Sequence, residues 1–352
     1  FRKDSAMRYI NVESTDPAFN HALEEYFLKE SDAEYFILWR NASCVLLGKN
    51  QNAYAEIDLE YVRRHGLSVI RRITGGGTVF NDLGNMNFAY IVNDDAGSKR
   101  VFSSFEPFTQ PIISALRFLG VNAELTGRND ITVSGKKISG NAQARTHHRI
   151  LHHGTLLFSA NMSDLSAALK TRPEKFQGKA VKSVSGRVAN ICDFLAEPMD
   201  IHSFRSYLIE YLMEHDSNSM PYVLTGHDEE QIGRLAQRKY ATWEWNFGKS
   251  PDSEFAHTKK FAGGLIDIHF DLINDSLRNV RLWGDFFGQE DIVKLEKTLE
   301  GARYEYASVA KRLNTLDIND YCANITRGQL CELLLDDSPQ AGGGRDRKET
   351  GN

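Results

Sequence analysis

Leu67-Ser68-Val69-Ile70-Arg71-Arg72-Ile73-Thr74-Gly75-Gly76-Gly77-Thr78-Val79-Phe80 is the stretch from which the rest of the chain is read. Three consecutive glycines each lose about 0.5–1 kcal/mol against alanine inside a regular element. What they offer is backbone that turns sharply and presents N–H groups that no side chain covers. Arg71 and Arg72 add planar forks that match phosphate or carboxylate oxygens. The run predicts a loop that receives an anion, a nucleotide phosphate in particular, although a glycine triplet can also be a plain turn. It matches neither G-x-x-x-x-G-K-[ST] nor G-x-G-x-x-G opening a helix. Thr78-Val79-Phe80 favours strand, so the loop is predicted to join β to β without a helix dipole as its main anion partner.

Outward from this loop, 352 residues allow two domains, and 41% hydrophobic with 25% charged residues suit a folded core. A formal net charge of −5 leaves no chain-wide footprint for nucleic acid. Cys44, Cys192, Cys322 and Cys331 lack C-x-x-C spacing, which argues against zinc and a disulfide framework. The start has no apolar signal core and no run reaches membrane-spanning length, so a cytoplasmic protein without membrane contact is expected. Residues 1–7 are read as a disordered or tag-derived start.

Asp16-Pro17 reads as a helix start, followed by an apolar stripe at Phe19, Leu23, Tyr26 and Phe27 that core packing explains. Tyr35–Trp39 and Ser43–Leu47 read as buried strands, and Pro111–Leu119 as a helix. Irregular alternation of strands and helices predicts α+β rather than a doubly wound fold. A boundary is placed after Trp243–Pro251, with a polar stretch to about Thr258. Beyond it, Ile266, Ile268, Phe270 and Leu272 alternate with polar residues as a strand. Asn274-Asp275-Ser276 turns into a second strand holding Val280 and Leu282, and helices follow to about Leu335. The domains are therefore set at 8–250 and 258–335, with a disordered tail over 336–352.

A second constellation is Gly127-Arg128-Asn129-Asp130, Ile131-Thr132-Val133, Ser134-Gly135 and Lys136-Lys137-Ile138-Ser139-Gly140, which reads as a hairpin. Alternation places Lys137 and Ser139 on one face, opposite Ile138. Lys137 there can neutralise developing phosphate charge, or simply be a solvated turn residue.

Arg71–Asn87 and Gly127–Gln143, followed by His152-His153-Gly154-Thr155-Leu156-Leu157, Lys182–Asn190 and Trp243–Pro251, resemble the signature blocks of lipoate–protein ligases of the two-domain bacterial type, within the biotin/lipoate ligase superfamily. The resemblance covers most of residues 8–335. It implies a large catalytic domain with a mixed β-sheet flanked by helices and a small α+β accessory domain. It implies ATP-dependent activation of lipoate to lipoyl-AMP, then transfer to a lysine of an apo lipoyl domain on a 2-oxoacid dehydrogenase E2 or the glycine cleavage H protein, by a monomeric enzyme. By that resemblance Lys137 is catalytic, lying between the carboxylate and the α-phosphate. Arg72, Gly75, Gly76, Gly77, Thr78, Val79, Phe80, Asn129 and Asp130 hold the nucleotide. Asp130 ligates Mg²⁺. Thr74, Lys137, Asn81, His153 and Gly154 line the lipoate site.

Asn81 departs from the family, which mostly has histidine before Asp82, so a positional role is expected there rather than acid–base chemistry. Among His147, His148, His152 and His153, neighbours on a strand point to opposite faces, which weakens a metal reading. The rival functions on this fold are a transferase moving octanoyl or lipoyl groups between carriers through a cysteine thioester, and a transferase using preformed lipoyl-AMP. No cysteine adjoins the motif loops, and such thioester enzymes commonly carry arginine where Gly77 stands.

Overall fold

The computed structural model describes residues 6–94, 102, 104–146, 148–169, 187–248 and 255–335. Expectations for His147, Lys182–Gly186, Lys249–Pro251 and the tail from Asp336 lie outside the described residues. The chain divides into two compact units, Phe1–Ser250 with Gly284–Gln289, and Pro251–Trp283 with Glu290–Asn352.

In the first unit the strands are β1 (Met7–Asn11), β2 (Glu34–Trp39), β3 (Cys44–Leu47), β4 (Ser68–Arg71), β5 (Val79–Asn81), β6 (Asn85–Asn93), β7 (Ala123–Thr126), β8 (Asp130–Val133), β9 (Lys136–Thr146), β10 (Arg149–Leu157) and β11 (Ser219–Pro221). Eight form a mixed sheet in the order β11-β1-β2-β6-β10-β9-β8-β7, parallel across β11-β1-β2 and antiparallel beyond. The other three form a small sheet, β4-β3-β5. Its β3 lies parallel to β4 and antiparallel to β5, so the glycine run does join strand to strand.

The long sheet is buried on both faces. One face packs Phe36, Phe88, Tyr90 and Ile131 against the helices Glu106–Phe118 and Ile201–Glu214. The other packs Ile37, Ala89 and Leu151 with α1 (Pro17–Glu30) and with Leu46 and Ile70 of the small sheet. Asp16 caps α1 by accepting from Ala18 N at 2.9 Å, an interaction of about 1 kcal/mol. Helix α1 also buries Asn20, His21, Glu24 and Glu25, polar residues that the apolar-stripe reading passes over. The helix expected from Pro111 starts earlier, at Glu106, and carries Pro111 inside it.

The second correction concerns β9. A bulge between Ile131 and Thr132 of β8 shifts the register, pairing Ile131 with Ser139 and Thr132 with Lys137. Ile138 is the extra residue, and it turns inward with Ser139. Ser139 then bonds Asn141 Nδ2 on that face, while the Lys137 side chain lies over Gly140 on the other. Lys137 and Ser139 therefore do not share a face.

Adjacent histidines do part company. His152 enters the core, stacked on Phe108 with centroids 4.6 Å apart, and its Nδ1 accepts from Gln143 Nε2 at 3.1 Å. Burial pushes its pKa well below 6.5. The unfolded chain therefore takes up a proton at His152 below pH 6.5 that the native state refuses, so stability falls as pH falls through that value. Replacing His152 with phenylalanine is expected to flatten the decline between pH 6.5 and 5, by up to about 1.4 kcal/mol per pH unit at the acid end of that range. Denaturant melts at several pH values read this directly, and parallel profiles for the two proteins would refute it.

The second unit holds β12 (Phe255–Phe261), β13 (Gly264–Ile273) and β14 (Ser276–Gly284), with helices Ile292–Leu299, Tyr306–Leu313 and Arg327–Leu334. Asn274 and Asp275, at φ of 49° and 56°, make the tight hairpin turn. β12 lies partly in the stretch read as a polar connection.

Candidate active site

A cleft in the first unit lies over the face of the long sheet that carries Ala89. Its floor is Asn87 of β6, Gly140 and Ala142 of β9, and Thr155 of β10, closed at one end by His21 of α1 and Trp39. Its other wall is the glycine loop, where Arg72, Gly76, Gly77, Thr78 and Val79 line it, and Lys137 and Asn129 stand at the same opening. Two motifs sixty residues apart in the chain thus face one cavity.

The two arginines of the loop differ in use. Arg71 is buried, donating through Nη1 to the carbonyls of Gly48, Lys49 and Gln51, through Nε to Trp245 O and through Nη2 to Asn246 O. It braces the chain and offers nothing to an anion, contrary to the expectation drawn from the pair. The Trp243–Phe247 stretch, read as an interdomain joint, is the other half of that brace: Trp245 Nε1 donates to Arg71 O and Asn246 Oδ1 accepts from Arg71 N. Arg72 lines the cleft while bonding Thr74 Oγ1 and the carbonyls of Leu46, Gly75 and Gly77. Burial pushes both guanidiniums down to about 10, so they stay charged at neutral pH.

The three glycines are not equivalent. A Cβ at Gly75 would lie 2.6 Å from Phe286 O. Gly76 sits at φ +94°, with the Phe287 ring 3.0 Å and Arg72 Nη2 3.1 Å from where its Cβ would be. Gly77 has nothing within 4 Å. Gly77→Ala is therefore expected to change stability by less than about 0.5 kcal/mol, and Gly76→Ala to cost about 1–3 kcal/mol through its backbone conformation. Equal thermal melts for the two variants would contradict this.

His153 points into the cleft. Its Nδ1 donates to Glu24 Oε1 at 2.7 Å, and its Nε2 lies 2.8 Å from Thr74 Oγ1. His21 Nδ1 donates to the other Glu24 oxygen at 2.7 Å. Burial pushes His153 down, with Glu24 opposing and Arg72 assisting. Its imidazole is therefore neutral at neutral pH, and Glu24, which accepts both N–H groups, stays ionised. His21, Glu24 and His153 bring three possible metal-ligand atoms together; both Nδ1 atoms and both Glu24 oxygens are matched donor to acceptor, while His21 Nε2 has no partner among the described residues.

Lys137 Nζ meets Asp130 Oδ1 at 2.8 Å, both side chains being 37% exposed. Its backbone is gripped from outside the hairpin, since Lys137 N donates to Arg187 O and Ala189 N donates to Lys137 O. Asn129 and Asn141 lock reciprocally, each Nδ2 donating to the other's carbonyl.

Of the residues assigned to binding, Arg72, Gly76, Gly77, Thr78, Val79, Asn129, Lys137, His153 and Gly154 line the cleft. Thr74, Gly75, Phe80, Asn81 and Asp130 do not. Thr74 acts behind His153, Phe80 packs in the core beside Val45 and Leu47, and Asn81 is wholly buried. Gly154 contributes backbone only, because a Cβ there would point away from the cleft into Asn141 Oδ1 and Phe88. Lining residues that the sequence reading did not assign to the site include His21, Trp39, Asn87, Thr155 and Phe287. A polar residue within an amphipathic stripe was the available signal for His21; Phe287 lies far along the chain and gave none.

Residues 16–213 match the lipoyl protein ligase A/B catalytic domain, and residues 250–334 match the bacterial lipoate protein ligase C-terminus. The chain belongs to the lipoate–protein ligase family. It is 41% identical over 328 residues to the lipoate-protein ligase LplJ of Bacillus subtilis strain 168, covering 92% of this chain and 98% of the relative. Among solved structures it resembles the bipartite lipoate protein ligase from Thermoplasma acidophilum, described with its E2 lipoyl domain. That match has 30% identity and a TM-score of 0.62, covering 71% of this chain and 100% of the other. It also resembles lipoate-protein ligase A bound with ATP, at 28% identity and TM-score 0.59 over 69% and 98% of the two chains. The α+β architecture is that of these ligases.

Proposed function

We propose that the chain activates lipoate with ATP and passes the lipoyl group to a lysine of an apo lipoyl domain, an E2 or H protein, acting as a cytoplasmic monomer. In the first step a lipoate carboxylate oxygen attacks the α-phosphorus and the bond to the bridging oxygen breaks, releasing pyrophosphate. In the second the acceptor amine attacks the acyl carbon, the bond to the phosphate oxygen breaks, AMP leaves, and the amine sheds its proton.

The observation that carries this reading is that Lys137 and the glycine loop open on one cleft. Lys137 offsets the repulsion between carboxylate and triphosphate and then the charge gathering on the α-phosphate. Backbone N–H groups of Gly76–Val79 and the charge of Arg72 serve the nucleotide, and the part of the cleft lined by His21 and Trp39 takes the acyl chain.

Asp130 suits Mg²⁺, being a hard carboxylate, partly open to solvent, that meets the cleft-lining Lys137. Bound there, the ion would neutralise phosphate charge. Its arrival would also detach Asp130 from Lys137 and free the ammonium for the acyl phosphate.

The thioester alternative lacks support. Cys44, Cys192, Cys322 and Cys331 are all free, none lines the cleft, and burial pushes every thiol up from its ordinary value. The deciding experiment is lipoate-dependent ATP–pyrophosphate exchange without a carrier, followed by intact mass measurement after adding an apo lipoyl domain. Exchange and a lipoyl mass increment are expected. No exchange from a folded chain, with a mass increment only when lipoyl-AMP or a lipoylated carrier is supplied, would favour a transferase using a preformed donor.

A further inference from the structure

From α1 through the small sheet to the cleft floor runs a file of side-chain hydrogen bonds with a single direction. Asn20 Nδ2 donates to Asn41 Oδ1 at 2.9 Å, Asn41 Nδ2 to Asn81 Oδ1 at 3.2 Å, and Asn81 Nδ2 to Thr155 Oγ1 at 3.1 Å. The Thr155 hydroxyl then donates to Asn87 Oδ1. Backbone carbonyls, which can only accept, fix this direction at two points. Asn20 Nδ2 also donates to Ser14 O and Arg40 O, and Asn81 Nδ2 to Phe80 O. Asn20, Asn41 and Asn81 cannot turn over without facing oxygen against oxygen, and Thr155, accepting from Asn81, keeps its one proton for Asn87 Oδ1. The unsatisfied groups fall at its two ends, an acceptor at Asn20 Oδ1 and a donor at Asn87 Nδ2.

Asn87 is 3% exposed and lines the cleft. Across β10 it shares a register row with Thr155 and Gly140, and Lys137 Nζ lies over Gly140. Two strand spacings, about 10 Å, separate Asn87 from Gly140 along that row. A carboxyl group lying over Thr155 is thus flanked by an ammonium and an amide.

We propose that Asn87 Nδ2 is a catalytic donor to the acyl oxygen, first of the lipoate carboxylate and then of the carbonyl of the acyl adenylate, and that Asn81, Asn41 and Asn20 are positioning residues that hold it as a donor. The proposal rests on the lipoate-activating reading. It accounts for an asparagine at position 81: aligned amides polarise one another and strengthen the last donor. During aminolysis the carbonyl oxygen gains negative charge as the amine–carbon bond forms, and a donor already fixed towards it needs no reorientation.

The test compares binding of lipoate and of the corresponding primary alcohol, which has a hydroxyl where lipoate has its carboxylate. Titration calorimetry is run on the full chain carrying Asn87→Asp. The substitution keeps the acceptor for Thr155 and replaces the free donor with an oxygen. Lipoate is expected to bind roughly 10- to 100-fold more weakly, the range of a hydrogen bond to a charged group, while the alcohol binds as well as before or better. Asn81→Asp, outside the cleft, is expected to shrink the same acid-to-alcohol preference, because Thr155 turns its hydroxyl to the new carboxylate and Asn87 is released. Equal weakening of both ligands in Asn87→Asp, with a native melt, would overturn the donor role and leave packing. An unchanged preference in a folded Asn81→Asp would overturn the relay. Failure of the unmodified chain to bind lipoate or support exchange would instead sink the functional reading.

Discussion

Lys137→Ala is expected to reduce lipoate-dependent ATP–pyrophosphate exchange by at least ~10²- to 10³-fold, the effect of removing one preorganised stabiliser of transition-state charge. The fold should survive. The Lys137 side chain is 37% exposed and its ammonium meets a comparably exposed Asp130, a kind of pair that contributes about 0–1 kcal/mol. What holds this part of the hairpin is backbone: the pairing of Thr132 with Lys137 and the bonds to Arg187 O and from Ala189 N, none of which needs the side chain. The measurement is exchange kinetics beside a thermal melt. Exchange at the unmodified rate would remove Lys137 from the chemistry, and loss of the melt would move it to structure.

Arg71→Met should show the opposite profile, a large loss of stability. The substitution keeps an unbranched apolar stem but leaves the carbonyls of Gly48, Lys49, Gln51, Trp245 and Asn246 without their guanidinium donor. A buried polar group left unsatisfied costs about 1–3 kcal/mol. Even with partial relief by water, the total should reach at least ~3 kcal/mol. For a unit of this size that is roughly a 6–12 °C fall in Tm. A Tm within 2 °C of the parent would show that the brace is redundant. The pair therefore separates two neighbouring basic motifs that sequence presents alike: Lys137 loses rate and keeps stability, and Arg71 loses stability.

Much of this site was legible because its chemistry needs unusual residue patterns. A glycine triplet between two strands, and a Ser-Gly turn ahead of paired lysines, are local signals, and both were found where local geometry places them. The turn is explicit in the structure, with Ser134 at φ 50° and Gly135 at φ 74°. The parting of His152 from His153 followed from alternation alone. Alternation failed at Ser139, because a bulge is a property of two paired strands and β8 forces it on β9. Gly154, assigned through the resemblance, does line the cleft, but with backbone alone, because its missing side chain makes room for Asn141 on the opposite face.

What the sequence determined by itself was the α+β class, the strand-to-strand course of the glycine loop and the Ser-Gly turn ahead of Lys137, since turns, caps and strand alternation arise within a few residues. Only the tertiary structure decided which charges remain available. Arg71 and Arg72 are adjacent and chemically identical, yet one is enclosed by carbonyls from Gly48 to Asn246 and the other opens on the cleft. The same holds for the file from Asn20 to Asn87. Its members are spread over α1, β5, β6, β10 and the loop after β2, and a hydrogen bond acquires direction only when its donor and acceptor are brought into contact.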